Sequence, residues 1–213
     1  AGGEARIVSI LGAPIDPETA ADLAGPALGR DEVMTRIRAV MDERSRADRF
    51  SGVVLVAQGD QVVLHEARGQ ASVEFGAANR PDTRFNLGSI NKLFTRVAIG
   101  QLVEKGAVSL DDAIGRFLPA YPNREAARGV TVRQLLDMTS GIGDFFGPRF
   151  AATPKDRIRR PEDYLPFFAA EPLQFAPGSQ RRYSNGGYVV LGLIVAQASG
   201  QDYFAYVRAH VYA

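Results

Sequence analysis

Hydrophobic positions along the chain change period several times, and each change marks an element. In "RDEVMTRIRAVMDERSRADRF" Val33, Ile37, Val40 and Met41 fall on one stripe at helical spacing, with Asp31 and Glu32 in the first turn. That pattern predicts a helix lying flat on a sheet. In "SGVVLVAQGDQVVLHEARG" two β-branched runs, Val53–Ala57 and Gln61–Ala67, flank Gly59-Asp60, which is the signature of a hairpin. "ASVEFGAANRPDTRFNLGS" reads as loop, with a turn at Pro81-Asp82. From Ile90 to Lys105 the helical pattern is apolar almost all round, which predicts a buried helix stopped by Gly106.

Beyond that point the chain reads as short helices and turns. "SLDDAIGRFLPAYP" offers Ser109 as an N-cap, "TVRQLLDMTSG" opens on Thr131 and ends at Gly141, and "RRPEDYLPFFAAEP" has Pro161 in its first turn. "SNGGYVVLGLIVAQASG" is strand-like in composition, but its length and Gly200 favour a helix. "QDYFAYVRAHVYA" reads as a last amphipathic helix, uncapped at its end. The expected organisation is an irregular Ala/Gly/Pro-rich lead-in over residues 1–30, a helix and hairpin within 31–75, a helix over 89–105 and a helical region over 109–213. Two strands are few for so many helices, since a lone hairpin is not an independently stable sheet.

Composition narrows the chemistry. At 213 residues with 46% hydrophobic and 23% charged positions, the chain resembles an ordinary globular protein. A net charge of +1 carries no nucleic-acid signature. No apolar run reaches the length of a membrane span. With no Cys and two isolated His (His65, His210), neither a disulfide framework nor a metal site is expected, and a Ser–His–Asp site is hard to build. No cofactor is expected either.

One local pattern stands out against that background. Of 25 basic residues only Lys92, Lys105 and Lys155 are lysines, and Lys92 follows Ser89 by three positions in "GSINK". Ten Ser and three Lys scattered over the chain give roughly 0.14 chance matches to S-x-x-K. Taken alone, the spacing also suits an N-cap serine followed by a lysine whose stem lies along the helix. Chemically it places a hydroxyl and an amine one turn apart, and a Lys neutral near pH 7 activates a serine. Burial and the helix N-terminus both disfavour the ammonium. In "RRYSNGGY", Tyr183 supplies a phenol able to relay a proton, and Asn185 an amide able to grip a substrate or orient Lys92; a core tyrosine and a turn asparagine are the plainer reading.

S-x-x-K followed 94 residues later by Y-S-N, with helices between, resembles the penicillin-recognising serine hydrolases: class C β-lactamases, D-Ala-D-Ala peptidases, D-amino-acid peptidases and β-lactamase-like esterases. "FSGVVLVAQGDQVVLHEARG" is similar to that family's opening hairpin, and "DTRFNLGSINKLFTRVAIGQLVEKGAVSLDDAIGRFLPAYP" to its active-site helix. "VTVRQLLDMTSGI" resembles the segment that usually reads "LLTHTSGL", with Met138 in place of the His, a departure read as a matter of packing. "FAPGSQRRYSNGGYVVLGLIVAQASGQDYFAYVRAHV" is similar to the surroundings of the Tyr motif. The likeness covers roughly residues 50–213.

The resemblance implies an α/β (α+β) fold of the serine β-lactamase/transpeptidase type, an antiparallel sheet flanked by helices with a helical subdomain. It implies Ser89 as the acyl-accepting nucleophile, Lys92 as base or neighbouring relay, Tyr183 as the proton shuttle and Asn185 as substrate-binding residue. Substrates would be an ester, a D-amino-acid peptide or a β-lactam. The family's third motif, Lys/His-x-Gly on a strand, has no counterpart within 28 residues after Asn185. A second polypeptide supplying it and the remaining strands is therefore expected, as is a bacterial periplasmic or secreted location. A ligand-binding or sensor protein without turnover, and a structural fragment with relic motifs, are the alternative readings.

Overall fold

In the computed structural model, which describes residues 28–212, the chain divides into two units between Phe85 and Asn86. Residues 1–27 of the expected lead-in lie outside the described residues.

The first unit opens with helix α1 (Arg30–Arg46). Asp31 and Glu32 in its first turn and Arg44 and Arg46 in its last complement the helix dipole. Strands β1 (Gly52–Gln58) and β2 (Gln61–Arg68) form the expected antiparallel hairpin, turning through Gly59 at φ +57°. Side-chain alternation places Val54, Val56 and Leu64 in one small core with Met34 and Met41 of α1, lined by Val33 and Ile37. The helical stripe is thus rotated slightly from expectation: Met34 is inside, and Val40 is exposed. Arg38 bonds Glu66 at 2.8 Å and Arg68 bonds Asp42 at 2.6 Å, lacing α1 to β2 at the surface. A short ladder of β3 (Gln70–Ser72) with β4 (Ala77–Ala78) occupies part of the stretch expected to be loop. Its Ala and Ser residues carry little strand signal.

In the second unit, a 3₁₀ turn (Gly88–Ile90) leads directly into helix α2 (Asn91–Glu104). Short helices follow: α3 (Ile114–Phe117), α4 (Arg124–Gly129), α5 (Val132–Leu136) and α6 (Pro148–Ala152), then a 3₁₀ helix at Pro161–Phe167. Helix α7 (Asn185–Ser199) is the centre of this unit and α8 (Tyr203–His210) packs on it. Val190, Leu191, Ile194 and Val195 of α7 are fully buried, joined by Ala98, Ile99 and Leu102 of α2 and by Val130, Val132 and Leu135.

The caps explain where these helices begin and end. Thr131 and Gln134 form a reciprocal capping box on α5, Ser184 caps α7 through the Gly187 amide, and Gly200 ends α7 at φ +67°. The Ser109 cap is a correction. Asp112 accepts the Ser109 amide in a local turn, and the helix starts five residues later. α2 is a second correction: only one face is buried, while Ile90, Leu93 and Val97 are 55%, 58% and 47% exposed. These three share a stripe at i, i+3, i+7, opposite the one that meets α7.

Candidate active site

Ser89 is presented by backbone geometry. Gly88 adopts φ +52°, a left-handed conformation that costs glycine little, and its amide is held by Asn86 Oδ1 at 2.9 Å. Asn91 Nδ2 closes the turn on the Gly88 carbonyl at 3.1 Å. Ser89 therefore sits exposed on the turn that feeds α2, and no side chain caps that helix. Its hydroxyl is free of a capping role.

The Ser89 Oγ lies 2.5 Å from the Tyr183 hydroxyl and accepts from Lys92 Nζ at 3.3 Å. Lys92, one helical turn on from Ser89, donates to Asn185 Oδ1 at 2.7 Å. The same ammonium lies 4.8 Å from the Tyr183 ring centre and 5.5 Å from that of Tyr188. All four residues singled out in the sequence thus meet in one hydrogen-bonded group within the second unit. Burial pushes the Tyr183 phenol up, but hydrogen bonds from Lys92 and Ser89 and the Lys92 charge outweigh it. The phenol ends below its ordinary range.

Behind these four stands Asp144, which the sequence did not single out. Its Oδ2 accepts both the Asn185 side-chain amide at 2.7 Å and the Asn185 backbone amide at 3.1 Å, while Oδ1 accepts the Phe146 amide at 3.1 Å. An acceptor-only carboxylate on one side and a donor-only lysine on the other leave the Asn185 amide a single orientation. The signal available was weak: an Asp in the glycine-rich "GIGDFFG", which by itself reads as a turn.

Two more supports come from the YSN segment. The buried Ser184 hydroxyl donates to the Gly143 carbonyl at 2.9 Å and accepts from Gly187 N–H at 2.8 Å, locking the Asp144 loop to the start of α7. Gly186 permits this approach, because a Cβ there would lie 2.5 Å from the Gly143 carbonyl oxygen. Met138, at φ +63°, accepts Arg182 N–H on its carbonyl at 2.9 Å, and its sulfur lies 3.4 Å from the Ser184 amide. The position read as packing also holds the extended segment that carries Tyr183.

Beside Ser89 opens a cleft of about 640 Å³ lined by Lys92, Asn185 and a set of aromatic side chains. A hydroxyl flanked by a phenol of lowered pKa and a lysine, at the edge of a cleft, is equipped for acyl transfer.

The Beta-lactamase family model matches residues 36–213. The chain belongs to the beta-lactamase family. Among relatives, it is 34% identical over 166 residues to Penicillin-binding protein 4* of Bacillus subtilis, covering 77% of this chain and 36% of that protein. It is 34% identical over 209 residues to Esterase EstB of Burkholderia gladioli, covering 91% and 53%. Among solved structures, a penicillin binding protein from Bacillus halodurans matches at TM-score 0.70 and 34% identity, over 81% of this chain and 52% of that one. D-amino acid amidase from Ochrobactrum anthropi SV3, complexed with L-phenylalanine, matches at TM-score 0.71 and 28% identity, over 85% and 52%. The chain spans about half the length of these beta-lactamase-family proteins, or less. The mixed helix and antiparallel-strand architecture expected from the resemblance is the one these neighbours share. Among the described residues no helix is long and apolar enough to cross a membrane, and no cluster of metal-ligating side chains occurs.

Proposed function

We propose that the protein is a serine hydrolase that forms an acyl-enzyme on Ser89. The observation that carries this reading is the 2.5 Å contact of Ser89 Oγ with Tyr183, beside a lysine held by Asn185. Tyr183, as phenolate, takes the Ser89 proton while Oγ bonds to the acyl carbon and the carbonyl electron pair moves to oxygen. In this reading the Ser89 amide, at the turn into α2, donates to that oxyanion. Collapse breaks the bond to the leaving group, which receives the proton from Tyr183. Water then gives its proton to Tyr183 as its oxygen attacks the ester carbon, and collapse breaks the bond to Ser89 Oγ, which takes that proton back from Tyr183 and leaves the phenolate as at the start. Two observations favour Tyr183 over Lys92 as the acceptor: its shorter distance to Oγ, and its lowered pKa. Lys92 then supplies the charge that keeps the phenolate accessible.

A serine-directed phosphonate or a fluorescent penicillin tests this. The adduct is expected on the peptide containing "GSINK" and is lost in Ser89→Ala; labelling that survives the substitution overturns the assignment. Slow release of a stoichiometric label would instead favour a binding or sensor role on the same serine.

The reading includes a further polypeptide segment that brings additional strands and a Lys/His-x-Gly motif to the second wall of the site. Support comes from the exposed apolar stripe Ile90, Leu93 and Val97, from the exposed Leu55 on the hairpin face turned away from α1, and from the length of the relatives. Each large apolar side chain left in water forfeits about 1.5–3 kcal/mol. Residues 1–213 expressed alone are expected to melt without cooperativity and to be inactive; a cooperatively melting, active monomer sinks this part. A periplasmic or secreted location is proposed from the penicillin-binding relatives, and cell fractionation decides it.

A further inference from the structure

Resting on that reading, we infer that the cleft beside Ser89 holds the acyl portion of the substrate, and that it selects neutral or anionic acyl groups bearing an aromatic ring over those bearing an ammonium. Placement comes first. Ser89, Lys92 and Asn185 line the cleft, but Tyr183 does not. The leaving group must meet the Tyr183 hydroxyl to be protonated, so what fills the cleft is the part that stays on Ser89.

Shape comes next. One wall is Phe145, Phe146 and Tyr164, set against one another with ring centres 4.6 Å (Phe145–Phe146) and 4.7 Å (Phe145–Tyr164) apart. The other carries Tyr203 and Phe204, 5.2 Å apart, with the Tyr203 hydroxyl fixed on Thr95 at 2.7 Å. Phe146 and Phe204 remain 65% and 51% exposed, so ring faces are available to a guest. Such rings favour another ring in an offset or edge-on arrangement.

Charge settles the remaining choice. Arg159 and Arg160 line the cleft with Lys92, and no Asp or Glu does so among the described residues. Two carboxylates near it are engaged elsewhere: Asp163 on the backbone amides of Arg159 and Arg160, and Asp144 on Asn185. An ammonium on the acyl group would meet three cations and no counter-ion, whereas a carboxylate would find two guanidiniums.

The test, run on the protein with its further segment present, uses p-nitrophenyl esters of acetate, phenylalanine, N-acetylphenylalanine and N-succinylphenylalanine, the amino-acid esters in both hands, each corrected for its spontaneous hydrolysis. For the preferred hand, kcat/KM for the N-acetyl and N-succinyl esters is expected to exceed that for acetate by about 10–100-fold. It is expected to exceed that for the ammonium ester by at least about tenfold. Phe146→Ala and Phe204→Ala are expected to shrink the aromatic-to-acetate ratio, and Arg159→Ala the succinyl-to-acetyl ratio. A preference for the ammonium ester, or ratios unmoved in all three variants, overturns the inference while leaving Ser89 as nucleophile. Failure of every ester to acylate Ser89 overturns the hydrolase reading as well.

Discussion

Asp144→Asn keeps the shape of the side chain and removes one acceptor and one negative charge. The carboxylate accepts three N–H groups, two from Asn185 and one from Phe146. The least costly arrangement turns the new amide nitrogen toward Phe146, loses that bond and converts the two Asn185 bonds from charge-assisted to neutral. Hydrogen bonds to charged groups contribute about 1.5–3 kcal/mol and neutral ones about 0.5–1.5 kcal/mol, so the total loss is roughly 3.5–6 kcal/mol. In the protein with its further segment present, that lowers the Tm by roughly 5–15 °C. Activity is expected to fall about 10–100-fold, because Asn185 no longer holds Lys92 in one position. A loss of fold alone would depress the rate equally at every pH. The Asp144 charge, however, raises the Tyr183 pKa and so opposes Lys92. Removing it favours a lower Tyr183 pKa, so where Lys92 stays beside the phenol the acid limb of the pH–rate profile, which rises as Tyr183 deprotonates, is expected to move to lower pH. Steady-state rates across pH, with thermal melts alongside, make the measurement. An unchanged rate, or a drop with the limb unmoved, refutes the idea that Asp144 positions Asn185.

Lys92→Met removes the Lys92 hydrogen bond and charge that help hold the Tyr183 phenol down, leaving the Ser89 hydrogen bond against the burial that pushes it up, so its ultraviolet titration is expected to move to higher pH. Acylation at neutral pH should fall about 10²–10⁴-fold. Lys92→Arg retains the charge but not a titratable amine, so it should keep more activity than Lys92→Met; an equal, near-complete loss in both would make Lys92 itself the base. Ser89→Ala should abolish acylation with a melting temperature close to that of the parent, since Ser89 makes no capping bond; a large drop would mean a structural role. Gly186→Ala forces a Cβ to within 2.5 Å of the Gly143 carbonyl oxygen and 2.9 Å of the Phe168 ring, and should cost about 1–3 kcal/mol in denaturant melts, where no loss would contradict the geometry.

The hairpin, the helix start at Thr131 and the long α7 were legible because each rests on local chemistry. Gly59 takes the turn, Gln134 returns the Thr131 bond, and Gly200 stops the helix in a left-handed conformation. α2 was misread for a reason that periodicity cannot reach. Ile90, Leu93 and Val97 are as apolar as Ile99 and Leu102, yet one stripe meets α7 and the other meets solvent. Sequence records that a face avoids water, not what lies against it.

The site divides along a similar line. Ser89, Lys92, Tyr183 and Asn185 are uncommon residue types at telling spacings, and they converge in space. Asp144 acts through two bonds to Asn185, and Met138 through the backbone amides of Arg182 and Ser184, both from loops, where an Asp or a Met carries no pattern. The order of dependence nevertheless runs outward. Lys92 is aimed by Asn185, Asn185 is turned by Asp144, and Asp144 is carried on a loop that Ser184 pins through Gly143 and that Gly186 leaves room for. Ser184 lies between the two residues it serves, so the tripeptide Tyr183–Asn185 fixes a phenol, a loop and an amide together. A substitution in that loop should therefore change how Tyr183 titrates, although it touches neither Ser89 nor the substrate.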